Sequence, residues 1–278
     1  MVDLLVERET FGHGGNQEVV RPFAAAGDVE LLLVTPQMQS FEAGKKAEAG
    51  EVPLSEEDVP HWDDDFPFWQ STTVELEGRT VSFQRIVMPM IENDEDMANW
   101  LDSVAVDAVV CSGSRRNVSM WEDWMAPTAS LVRASANAGR PTLGICFGHQ
   151  LLCHALGAII ERADSLSSGI WDLDFTEIGV DDELLTSHVS DDSCVAGLFT
   201  HQDHVVDAGE METIATSEHC GIVACKHPTR AIRTVQFHPE ASSELINQAF
   251  NLGEMTAEEH AAYVFESEVM SVKNALLE

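Results

Sequence analysis

A cysteine set between glycines, in Gly144-Ile145-Cys146-Phe147-Gly148, constrains what this chain can fold into more than any other stretch. The apolar segment Arg140-Pro-Thr-Leu precedes it, and the helix-like run Leu151 to Gly157 follows. A strand that turns abruptly into a helix needs small residues two positions before and two after the turning residue, because a side chain there would strike the cramped backbone. The pattern is the thiol form of a nucleophile elbow. It predicts an α/β domain with a doubly wound, mostly parallel central sheet and Cys146 raised above the carboxyl ends of the strands.

The surrounding chain fits that prediction. Val2–Val6 and Val29–Val34 are apolar runs of strand length on either side of the helical segment Asn16–Ala26, as in a β-α-β unit. Val74–Val87 reads as two strands around the turn Glu77-Gly78, and Asp94–Leu101 as a helix. Ala108–Cys111 is a buried strand ending at Ser112-Gly113-Ser114. Trp121–Ala138 has helical spacing with Trp121, Trp124 and Leu131 on its apolar side, and Pro141–Ile145 is the strand that feeds the elbow. Residues 158–237 read mostly as short strands with turns. Ser242–Phe250, capped by Ser242 or Ser243, and Thr256–Leu277 read as helices. One domain therefore spans 1–278, with an acidic insert at 37–70 and a helical extension at 255–278. The insert holds three prolines and the segment His61-Trp-Asp-Asp-Asp-Phe-Pro-Phe-Trp69. It is either a surface excursion pinned by Trp62, Phe66 and Trp69 or a lid or docking element.

Charge excludes several classes of function. The chain carries 48 acidic against 15 basic residues, a formal net charge of −33, with the acids spread from Asp3 to Glu278. Nucleic acid and anionic membrane are poor partners for such a surface. Self-repulsion on this scale fits concentrated salt, where the screening length falls to about 3 Å at 1 M. No run approaches the length of a membrane span, and no secretory segment is visible. The six cysteines form no CxxC pair and no metal-ligand spacing. Reduced thiols in a cytoplasmic protein without metal or cofactor are the expectation.

The second informative stretch lies about ninety residues beyond the elbow: His238-Pro239-Glu240. A thiol at a helix N-terminus is favoured as the anion, and a nearby imidazole can take its proton and return it to a leaving group. Pro239 confines His238 to extended conformations. In an extended chain residues i and i+2 share a side, so Glu240 can fix the tautomer of His238. Acyl transfer also needs donors for an oxyanion. The N–H of Phe147, next to the nucleophile, and the Ser112-Gly113-Ser114 loop are placed to supply them. Cys153 and His154 lie within the helix after the elbow and read as packing residues.

Gly-Ile-Cys-Phe-Gly-His-Gln-Leu-Leu together with Gln-Phe-His-Pro-Glu resembles the class I (triad) glutamine amidotransferases, over roughly Ala108 to Phe250. The resemblance implies a flavodoxin-like sheet and a catalytic triad of Cys146, His238 and Glu240. It implies an oxyanion hole from Gly113 and Phe147, and a substrate pocket involving Gln150. Thr200-His201-Gln202-Asp203-His204-Val205 looks like the family's His-x-Asp segment, which brings His201 and Asp203 to the site. Ser112-Gly113-Ser114-Arg115-Arg116 replaces the usual Ser-Gly-Gly-Pro loop and looks more like stand-alone members related to the glutaminase domain of GMP synthetase, with Ser114 in the substrate pocket. The activity implied is hydrolysis of the side-chain amide of glutamine through a γ-glutamyl thioester, the ammonia passing to a separate synthetase, since the chain has no phosphate-binding GxxxxGK[ST] loop of its own. The alternatives are a stand-alone hydrolase of γ-glutamyl peptides and a non-catalytic binding or regulatory module.

Overall fold

The computed structural model describes residues 1–2, 14–36, 72–182 and 196–241, together with residues 246, 247, 250, 251, 256, 257, 260 and 261. Helix α1 (Gly14–Ala26) leads into strand β1 (Glu30–Thr35), and β2 (Thr72–Leu76) and β3 (Arg79–Val87) form the hairpin expected around Glu77-Gly78. Both turn residues have positive φ, 52° at Glu77 and 72° at Gly78, the conformation that joins antiparallel strands most tightly. Helix α2 (Asp94–Ser103), strand β4 (Val109–Cys111), helix α3 (Met125–Asn137), strand β5 (Thr142–Ile145) and helix α4 (Phe147–Ala155) follow in alternation. Asn93 caps α2 by accepting from the N–H groups of Glu95 and Asp96 at 3.0 and 3.1 Å, and acids at 94–96 meet the positive end of its dipole.

Helix α3 starts four residues later than its apolar spacing suggests. Pro127 is the cause: it has no N–H to donate and is tolerated only in a first turn, so a helix begun at Trp121 would carry it as an interior breaker. Trp121 stays outside, 45% exposed, against the ring of His154 at 5.2 Å.

The remaining strands are β6 (Ile159–Asp172), the short β7 (Asp174–Phe175), β8 (Ala196–Asp207), β9 (Glu212–Ser217), β10 (Gly221–Lys226) and β11 (Ile232–Val235). Val2 bridges in parallel to both Val34 and Cys111. The order across the sheet is therefore β2-β3-β1, then Val2, then β4-β5-β11-β10-β8-β6. Strand β7 pairs with β9, which pairs with β10. The expected parallel arrangement holds for β3, β1, Val2, β4, β5 and β11, while every pairing from β11 outward is antiparallel. The sheet is thus mixed. Residues 158–237 also contain longer strands than expected: β6 has 14 residues and β8 has 12, paired with a register break between Arg162 and Ser167.

Helices cover both faces, as a doubly wound sheet requires. On one face α2, α3 and α4 bury Met97, Leu101, Leu131, Val132, Leu151 and Leu152 against the sheet. On the other, Val20 and Ala24 of α1 pack on Leu31, Leu33, Leu76 and Val81. The first strand predicted at Val2–Val6 is described only at Val2. The insert at 37–70, the caps Ser242 and Ser243, and most of the C-terminal extension lie outside the described residues.

Candidate active site

Three loops leave the carboxyl ends of the adjacent parallel strands β4, β5 and β11. They carry Gly113, Cys146 and His238 respectively. Cys146 makes the turn expected of an elbow, with φ 53° and ψ −105°, in a region that costs a non-glycine residue roughly 1–3 kcal/mol. Its N–H is anchored to the Val235 carbonyl at 2.8 Å. The flanking glycines are obligatory. A Cβ on Gly144 would stand 2.5 Å from the Gly148 carbonyl oxygen, and one on Gly148 would overlap the Cys111 carbonyl.

His238 donates from Nδ1 to Glu240 at 2.8 Å, the two side chains on one side of the extended His-Pro-Glu segment. Its N–H is fixed to the Leu198 carbonyl at 2.8 Å. Nε2 is buried and makes no protein hydrogen bond among the described residues. Burial disfavours the imidazolium, yet the neighbouring Cys146 and Glu240 outweigh it and hold the pKa well above the ordinary value. The Cys146 thiol lies 3.8 Å from the Thr200 carbonyl oxygen at the edge of β8.

Gly113 closes the arrangement. A Cβ built on it would come within 3.2 Å of His238 Cε1 and 3.6 Å of Cys146 Cβ, so its backbone lies directly against both side chains. Phe147 opens α4, and a helix's first N–H has no acceptor within the helix. Its ring is buried beside Trp124.

The remaining residues predicted for the site fall into a layer around this centre. Gln150 is buried, its amide donating to the Asp203 carbonyl at 2.7 Å and to Gln236 Oε1 at 3.0 Å. Asp203 is fully buried, and its carboxylate accepts from both the N–H and the hydroxyl of Ser119 at 2.7 Å each. It thus ties the segment after Gly113 to β8. Ser114 accepts from the Arg116 N–H at 3.1 Å, folding its own loop. His201 is buried on β8, donates from Nδ1 to the Asp203 carbonyl at 2.8 Å, and faces His219. Burial lowers both histidines to about 4, leaving them neutral near pH 7. Gln236, Ser119 and His219 carry no signal of their own in the sequence. Only the tertiary pairing of β8 with β10 and of β10 with β11 brings them here, and no local spacing announces it.

The family model for "Glutamine amidotransferase class-I" matches residues 72–251. The chain is 37% identical over 165 residues to the glutamine-hydrolysing subunit of GMP synthase from Methanococcus maripaludis strain C6, covering 59% of this chain and 80% of that protein. It is likewise 37% identical over 107 residues to the corresponding subunit from strain C5, covering 38% of this chain and 53% of that protein. The crystal structure of a glutamine amido transferase from Methylobacillus flagellatus matches with a TM-score of 0.53 at 14% identity, over 90% of both chains.

Proposed function

This chain belongs to the class I glutamine amidotransferase family, and we propose that it hydrolyses the side-chain amide of glutamine to glutamate and ammonia. The observation that carries this reading is the convergence of Cys146, His238 with Glu240, and the Gly113 backbone at the ends of three neighbouring strands.

His238 takes the thiol proton and the Cys146 sulfur attacks the amide carbon. The oxyanion is received by the N–H groups of Gly113 and Phe147. The intermediate collapses as His238 returns the proton to the nitrogen, ammonia departs, and a γ-glutamyl thioester remains on Cys146. Water then attacks, His238 takes its proton, and the C–S bond breaks to give glutamate and the thiol. Glu240 holds the Nδ1–H tautomer and stabilises the imidazolium. Gln150 and Asp203 position the floor and the wall of the glutamine pocket, while Ser114 and His201 border it.

We assign the ammonia to a separate synthetase that works with this chain as a cytoplasmic, salt-adapted enzyme pair. The relatives named as glutamine-hydrolysing subunits of GMP synthase support that assignment. Ammonia release from glutamine by the purified chain in molar salt tests the reaction, with Cys146→Ala as the control that should release none. Cleavage of γ-glutamyl dipeptides without cleavage of glutamine would instead establish the stand-alone peptidase reading.

A further inference from the structure

Next to the nucleophile, two imidazoles point nitrogen at nitrogen. His201 lies on β8, one residue beyond the Thr200 carbonyl that faces Cys146. His219 and Cys220 lie in the turn between β9 and β10, and β10 pairs with β8. The Nε2 atoms of His201 and His219 are 3.4 Å apart, and Cys220 Sγ and both nitrogens all lie within 4.8 Å of one another.

The hydrogen bonds behind the rings decide which nitrogens carry protons. A carbonyl oxygen only accepts, so His201 Nδ1 must be the protonated nitrogen that donates to Asp203 at 2.8 Å. Ser217 Oγ spends its single proton on the Asp172 carbonyl at 2.8 Å. It therefore accepts from His219 Nδ1 at 3.0 Å. Both neutral rings are left with an Nε2 lone pair, and the two lone pairs face each other. Nothing between neutral rings offsets that repulsion, whereas a cation would satisfy both.

We propose that His201, His219 and Cys220 form a tetrahedral site for a divalent transition metal of the zinc class, bordering the catalytic cysteine and distinct from it. Tetrahedral nitrogens at zinc–nitrogen distances of about 2.0–2.1 Å stand about 3.4 Å apart, the spacing present here. The thiol completes a His2Cys ligand set and leaves one position open. On binding, the Cys220 proton passes to solvent and the sulfur coordinates as thiolate. The supporting layer is the kind that metal-binding histidines use, a backbone carbonyl behind one ring and a hydrogen-bonded hydroxyl behind the other. Trp171 stacks on His219 with centroids 4.0 Å apart and planes 12° from parallel, which fixes the ring's orientation. An open cleft lined by Trp171, Asp172, Asp174, Ser217 and Glu218 adjoins it, so the approach is flanked by carboxylates that attract cations. The sequence conceals the site because His201 and His219 lie on different strands and only Cys220 neighbours one of them.

The test titrates the reduced, metal-stripped chain with Zn2+ against a chromophoric chelator, and with Co2+ to read the thiolate-to-metal charge-transfer band. One equivalent should bind and the band should appear, with Mg2+ unable to compete. Cys220→Ser and His219→Gln should each weaken Zn2+ at least about 100-fold and abolish or shift the band. Cys146→Ser should keep both. Ser217→Ala retains all three ligands and should weaken affinity by about 10- to 100-fold, which separates loss of the site from loss of the fold. Failure of the parent to bind Zn2+, unchanged affinity in Cys220→Ser and His219→Gln, or loss of binding in Cys146→Ser would each overturn the proposal.

Discussion

Individual residues carry the sharpest expectations. Cys146→Ala should abolish ammonia release while leaving the far-UV circular dichroism and melting curve close to the parent's, since the change removes only a sulfur. Glu240→Gln keeps the size of the side chain at His238 Nδ1 but loses the charge, and turnover should fall about 10²- to 10⁴-fold. The same variant tests the histidine's electrostatics. The folded His238 pKa lies above the unfolded value of about 6.5. Its stabilising contribution is therefore complete below about pH 6.5 and is lost as pH rises through the folded value. Urea denaturation of parent and Glu240→Gln across pH should show a stability gap that is widest in mild acid and closes upward. A gap that widened with pH would contradict the pairing. Cys146, His238 and Glu240 are legible in the sequence because each sits in a rigid local pattern, glycines around one and proline between the others. The His201–His219 contact is not legible, because its geometry depends on a strand pairing rather than on spacing.

Secondary-structure elements decide how firmly those residues are held. Gly148 lets α4 pack against β4, and a Cβ there would meet the Cys111 carbonyl. Gly148→Ala should destabilise the fold by about 1–3 kcal/mol in chemical denaturation and shift the elbow with it. Asp203 couples β8 to the segment after Gly113 through two charge-assisted hydrogen bonds from Ser119. Asp203→Ala leaves those donors buried and unpaired, so it should cost about 1.5–3 kcal/mol per bond lost. It should also raise KM for glutamine more than it lowers kcat. Ser119→Ala, which keeps the N–H bond, should give a smaller version of both effects. Most elements are readable from apolar spacing, including the β2–β3 hairpin and α2. Spacing misplaces the start of helix α3 because it registers Trp121 as apolar but does not register that Pro127 must occupy a first turn. The length of β6 and β8 is hidden because β6 is largely exposed on both faces, and alternation between buried and exposed residues is weak there.

At the scale of the whole molecule, the net charge of −33 opposes compaction unless it is screened. The melting temperature should climb steeply between dilute buffer and molar salt. Equal stability in both would refute adaptation to concentrated salt. Among the described residues no helix is long and apolar enough to cross a membrane. The order of strands has a further consequence, which concerns time. Strand β5 and the elbow that follows it pair in parallel with β11, about ninety residues farther along the chain. During synthesis from the N-terminus, Cys146 leaves the ribosome well before Val235, which anchors its N–H, and before His238. Closing a loop of that length must precede any gain from its contacts. A growing or prematurely stopped chain therefore presents the thiol without its base, and hydrolytic competence arrives as one late event rather than by degrees.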